Sequence, residues 1–68
     1  MATGTVKWFN TTKGYGFIAP DEGGKDVFVH ISAVERSGLT GLADNQKVTY
    51  ELQAGRDGRE SAVDIALA

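Results

Sequence analysis

Cysteine is absent from this 68-residue chain, and histidine occurs once, at His30. The first absence excludes a disulfide framework and any thiolate metal site. The second leaves no cluster from which a metal centre can be built. Stability must come from a compact core in an economical topology. At a length where folding buries roughly 60% of the extended surface, it is on the order of a few kcal/mol. No run approaches the ~18 continuous apolar residues of a membrane span. The opening MATGTVKWFN lacks a basic run followed by an apolar segment of signal-peptide length. A cytoplasmic protein is expected, with no membrane or metal partner, and the lack of cysteine fits a reducing compartment.

Catalytic signals are missing as well. The glycines of KGYGF do not have the GxxxxGKS/T spacing of a phosphate loop. Hydrolysis needs a paired nucleophile and base, and His30 has no partner at a persuasive spacing. Asp21, Glu22 and Asp26 read as a solvated loop and the start of a strand. The chain is therefore expected to be neither an enzyme nor a cofactor carrier. Charge is nearly balanced: 7 Lys and Arg stand against 9 Asp and Glu, for a net charge of −2. That balance argues against tight electrostatic wrapping of a polyanion. It does not exclude a nucleic acid, because a phosphate backbone responds to the local field of one face, and Lys7 and Lys13 border an aromatic-rich stretch.

That stretch, Lys13 to His30, is what the chain does have. Tyr15 and Phe17, then Phe28 and His30, stand on alternate positions, with Gly16 and Ile18, then Val27 and Val29, in the opposite phase. Successive side chains of a strand point to opposite faces, so each run puts its rings on one side and its small or branched residues on the other. One side reads as core and the other as a row of rings turned to solvent. The competing reading puts Tyr15, Phe17 and Phe28 in the core; the occupied opposite phase counts against it.

In chain order, Thr5 to Asn10 (TVKWFN) is a first strand, rich in β-branched and aromatic residues. Val6 should face inward. Strict alternation would bury Trp8 and turn Lys7 and Phe9 outward. A bulge near Lys7 to Phe9 would instead let all three border one surface, and full burial of an indole in so small a core is uncommon. A turn at Thr11 to Gly14 leads to the strand Tyr15 to Ala19, and PDEGGK (Pro20 to Lys25) is a loop. Asp26 to His30 forms a third strand, which a short loop pairs antiparallel with the second, making Phe17 and Phe28 neighbours across the ladder. Ile31 to Val34 can start a helical turn with Ser32 as N-cap and Glu35 at the third position after it. Arg36 to Asn45 is a long connection whose Leu39 and Leu42 fold over the core or along the ring face. Gln46 to Leu52 alternates, with Val48, Tyr50 and Leu52 on one face and Tyr50 read as a core or rim residue. A polar hairpin spans Gln53 to Arg59, and Ser61 to Leu67 is the last strand, with Ala62 or Val63 and Ile65 inward. Five short strands in a single domain, residues 1–68, predict an all-β, five-stranded antiparallel Greek-key barrel, with an SH3-like barrel as the rival.

Aromatic faces stack nucleobases and lysines beside them meet phosphates, so the outer face predicts binding of single strands, whose bases are free of a duplex stack. The alternative is a protein-protein adaptor that uses the same rings as an apolar patch.

The chain resembles the bacterial cold-shock proteins, stand-alone cold-shock domains of the major cold-shock protein type. The resemblance lies in VKWFN (Val6 to Asn10), KGYGFI (Lys13 to Ile18), DVFVH followed by Ile31 to Val34, and NQKVTYEL. KGYGFI and VFVH look like the two nucleoprotein motifs of that family. The resemblance implies an OB-fold barrel that acts as an RNA chaperone. Its partners would be single-stranded RNA and single-stranded DNA, bound with low sequence specificity. It implies a binding face of Lys7, Trp8, Phe9, Lys13, Tyr15, Phe17, Phe28 and His30. Ile31 and Leu39 stand where the family often carries further aromatics, Arg59 where proline is common and Asp64 where asparagine is common. Ile31, Leu39 and Arg59 are thus expected at the periphery of the site, with one or two stacking platforms lost. The chain is expected to act as a monomer.

Overall fold

The computed structural model describes residues 2–55 and 60–68. Five strands and one short helix follow in order: β1 (Ala2–Asn10), β2 (Tyr15–Pro20), β3 (Val27–His30), α1 (Ile31–Arg36), β4 (Lys47–Ala54) and β5 (Glu60–Leu67). The strands close into a barrel in the order β1-β2-β3-β5-β4, with β4 returning to β1. This is the five-stranded barrel expected from the sequence, and closure removes the edges that an open sheet of this size would expose. The expectation of antiparallel pairing throughout is modified at one seam. β3 and β5 run parallel and share a single register pair, Phe28 with Ser61. A chain that crosses α1 and β4 before returning to β3 arrives in the parallel sense.

Alternation places the core as read. Val6, Ile18, Val29, Val48, Tyr50 and Ala62 are fully buried, with Val27 and Ile65 nearly so. α1 adds Val34, the connection after it adds Leu42, and Leu39 packs against the same cluster while half-buried. Each fully buried branched side chain contributes about 1.5–3 kcal/mol relative to exposure, which is how a cysteine-free chain of this length holds together.

Alternation fails at two bulges. In β1 the register passes from Val6 opposite Ile18 directly to Trp8 opposite Phe17, leaving Lys7 as the extra residue. In β5, Val63 pairs with Glu51 and Ala66 with Thr49, so Asp64 and Ile65 together oppose Tyr50. Asp64 takes the left-handed conformation with φ 51°, which Asp and Asn tolerate better than most residues. Two buried residues three positions apart, Ala62 and Ile65, follow from that inserted residue.

Two further expectations need correction. Leu52 keeps the phase of Tyr50 and pairs with the buried Ala62, yet it is 48% exposed. β1 pairs only with Lys47 to Tyr50, so beyond Tyr50 β4 has only β5 beside it. The N-cap of α1 is His30 rather than Ser32: the His30 side chain accepts the Ser32 amide. His30 is the last residue of β3 and still extended, so the cap falls there and Ser32 lies inside the first turn. At the other end Ser37 ties α1 to the barrel. Its Oγ donates to the Ala33 carbonyl at 2.8 Å and accepts the Ile65 amide at 2.8 Å, satisfying a backbone donor at the β5 bulge.

Candidate nucleic-acid interface

The bulge at Lys7 decides which way the rings of β1 point. By inserting one residue it shifts the phase, so that Val6 stays inward and Trp8 turns outward beside Phe17. Lys7 and Trp8 therefore border the outer face, as expected. Phe9 does not: it falls opposite Gly16, is half-buried and packs against the core. A Cβ at Gly16 would collide with the Trp8 carbonyl and lie 2.7 Å from Phe9 Cδ1, so the ring of Phe9 occupies the space a side chain at 16 would need.

β2 and β3 carry the remaining rings. Their register pairs Tyr15 with His30 and Phe17 with Phe28. The result is one connected cluster. Trp8 meets Tyr15 at 5.5 Å and Phe17 at 5.4 Å, both edge to face. Phe17 meets Phe28 at 5.8 Å and Tyr15 at 6.4 Å, again edge to face. Tyr15 stacks on Phe28 at 5.8 Å with 26° between planes, and Phe28 reaches His30 at 6.4 Å. These separations lie in the attractive range for ring pairs. Mutual packing is also why Tyr15, Phe17 and Phe28 are half-buried rather than open, while Trp8 is 38% exposed. Rings that hold each other lose little rotamer freedom when a ligand docks.

His30 closes the row. Its Nδ1 accepts the Ser32 amide at 3.1 Å and lies 2.9 Å from Ser32 Oγ. A nitrogen that accepts an amide carries no proton, so the neutral ring holds its hydrogen on Nε2, free to donate outward. Ile31 is half-buried against the β1-β2 turn, its amide donating to the Gly14 carbonyl at 2.9 Å. Gly14, at φ 83°, supplies the left-handed residue that this turn requires. Leu39 is spent on the core, and Arg59 lies outside the described residues.

Cations flank the rings unequally. The Lys13 side chain is exposed and has no ion pair among the described residues, while its amide donates to Asn10 Oδ1 at 2.9 Å. Lys7 Nζ is paired with Asp26 at 2.9 Å, the two side chains being 56% and 36% exposed. An exposed pair of this kind is worth about 0–1 kcal/mol and gives way readily to a competing phosphate. Sequence reading missed it because Asp26 stands just before β3 and β2 lies between that strand and β1, so no strand register points to that contact.

The geometry suits recognition of flat, unsaturated groups by stacking, with hydrogen-bond donors at the rim. Comparison with known proteins agrees. The family model described as the 'Cold-shock' DNA-binding domain matches residues 2–68. The chain is 64% identical over 64 residues to the probable cold shock protein y4cH of Sinorhizobium fredii, spanning 94% of this chain and 93% of that one. It is 55% identical over 69 residues to the cold shock protein CspA of Rhizobium meliloti, covering 100% of both. With the major cold shock protein of Micrococcus luteus it shares 53% over 62 residues, 91% and 92% of the two chains. A closed five-stranded barrel with this ring cluster and a family match over nearly its whole length belongs to the cold-shock domain family.

Proposed function

We propose that this protein is a monomeric, cytoplasmic RNA chaperone that binds single-stranded RNA and DNA with low sequence specificity. Bases stack on Trp8, Tyr15, Phe17, Phe28 and His30, while Lys7 and Lys13 meet phosphates. Phe9 acts from beneath by fixing the bulge that turns Trp8 outward. The observation that carries this reading is the connected ring cluster on the outer faces of three adjacent strands. Each stacked base is worth about 1–3 kcal/mol. Three or four then supply much of the roughly 8 kcal/mol that corresponds to micromolar affinity, once ordering costs are subtracted.

A base on a ring is not in a duplex. Binding therefore holds a strand open by mass action, with no nucleotide hydrolysis, and loosens structured transcripts whose folding limits transcription or translation in the cold. Titrating Trp8 fluorescence with thymine-rich and adenine-rich single strands and a duplex, at two salt concentrations, tests the reading. Quenching by both single strands but not by the duplex is expected, with a shallow salt dependence because few phosphates are neutralised. Silence in every titration would remove the single-strand reading in favour of an apolar adaptor surface. The chaperone step is read separately, from the opening of an RNA hairpin labelled at both ends as protein is added.

A further inference from the structure

Where the row of rings ends, a groove of about 550 Å³ begins, with His30 on its wall. Its origin is topological. β3 and β5 share only the pair Phe28 with Ser61, after which β3 turns into α1 while β5 continues beside β4. One wall is α1, contributing Ser32 and Arg36. The other is the β4-β5 hairpin beyond its pairing with β1, contributing Leu52, Gln53 and Ser61. The Ser37 bridge between Ala33 and Ile65 fixes the helix against β5, so the gap is built into the fold.

Its chemistry differs from that of the ring face. Arg36 is exposed in the last turn of α1, and its guanidinium takes part in no hydrogen bond or ion pair among the described residues. In a chain of net charge −2, whose Lys7 and Lys47 are already paired with Asp26 and Asp21, that guanidinium is available to an anion. Arg matches phosphate oxygens with two donors at once. Hydroxyls of Ser32 and Ser61 and the amide of Gln53 offer donors and acceptors to a base edge or sugar, and Leu52 offers a flat apolar contact. Asp64, the carboxylate on the wall, is an acceptor for a base amino group. A mixed lining of this size fits one nucleotide. An apolar peptide helix would need a continuous row of anchors instead.

We infer that a bound single strand continues past His30 and places one further nucleotide in this groove, with its phosphate on Arg36. This rests on the ring face being the single-strand site. The test compares oligothymidylates of about four and about eight nucleotides, near the low end and the middle of the range for one such barrel. Affinities are read from Trp8 fluorescence at several salt concentrations, for the native chain and for Arg36→Gln. The longer strand should lose about three- to tenfold in affinity on Arg36→Gln, and its log-log salt slope should fall by about 0.7, one phosphate. The shorter strand should be unaffected. In amide NMR spectra of the native chain, Ser61 and Val63 should move with the longer strand only. Equal loss for both lengths, no loss for either, or unmoved Ser61 and Val63 amides would overturn the groove proposal while leaving the ring face standing. Failure of both strands to quench the native chain would overturn the ring-face reading, and the groove with it.

Discussion

Phe9 and Phe17 are both phenylalanines on strands that border the outer face, and their neighbours give them different work. Phe17 touches Trp8, Tyr15 and Phe28, and Phe9 touches the core. Phe17→Ala and Phe28→Ala should each weaken single-strand binding by about 1–3 kcal/mol while the thermal midpoint changes little. Phe9→Ala should show the reverse order, losing stability first, and calorimetry beside a binding titration separates the two. Sequence pattern identified Phe17 and Phe28 because they sit in uninterrupted alternation. It did not foresee that Phe9 packs against the core, because the residue inserted at Lys7 shifts the phase and nothing in VKWFN says on which side of the bulge each ring falls.

Tyr50 is the other residue whose environment sets a measurable quantity. Its side chain is fully buried and its hydroxyl has no hydrogen-bond partner among the described residues. Burial, and then the nearby charges of Asp21 and Glu22, push the phenol above its ordinary pKa. The folded protein thus holds this proton more tightly than the unfolded chain does. The associated stability is fully present below about pH 10 and is lost as pH rises through the folded-state value. Tyr50→Phe removes an unsatisfied polar group. It should leave the neutral-pH midpoint unchanged or higher and flatten the loss of stability above about pH 10. A clear drop at neutral pH would mean that the hydroxyl has a partner.

At the scale of elements, β2 and β3 were legible because their rings and branched residues never share a phase. β5 was legible only in part: the left-handed residue at Asp64 makes Ala62 and Ile65 inward together, a spacing that no simple alternation contains. The cap of α1 was missed because histidine is not among the usual N-cap residues, and Ser32 two positions on offered a familiar signature. The link between α1 and β5 left no sequence trace, since Ser37 and Ile65 are 28 residues apart. Ser37→Ala should cost about 1–3 kcal/mol, because it leaves the Ile65 amide without its acceptor. Hydrogen exchange at that amide should accelerate ahead of the rest of β5. Uniform acceleration along β5 would instead mean that the bridge does not act locally.

For the molecule as a whole, a small negative charge and a stacking face belong together. On the proposed reading bases carry the affinity, and two ion pairs among the described residues, Lys7 with Asp26 and Lys47 with Asp21, damp the attraction for phosphate. Asp26→Asn should release Lys7, tightening single-strand binding by less than about 1 kcal/mol and steepening the salt dependence by about one phosphate. The architecture was legible in the count and spacing of short apolar runs. The parallel seam between β3 and β5, and the groove it opens, were not, because they arise from the path of the chain and not from any segment.

The central claim is that single strands lie on the connected rings of β1, β2 and β3. An amide NMR titration with an unlabelled oligothymidylate tests it most directly. The account predicts the largest shifts at Trp8, Tyr15, Phe17, Phe28 and His30, with Thr49 and Glu51 on the far strand still. Shifts centred on β4, with the ring-bearing strands unmoved, would contradict it.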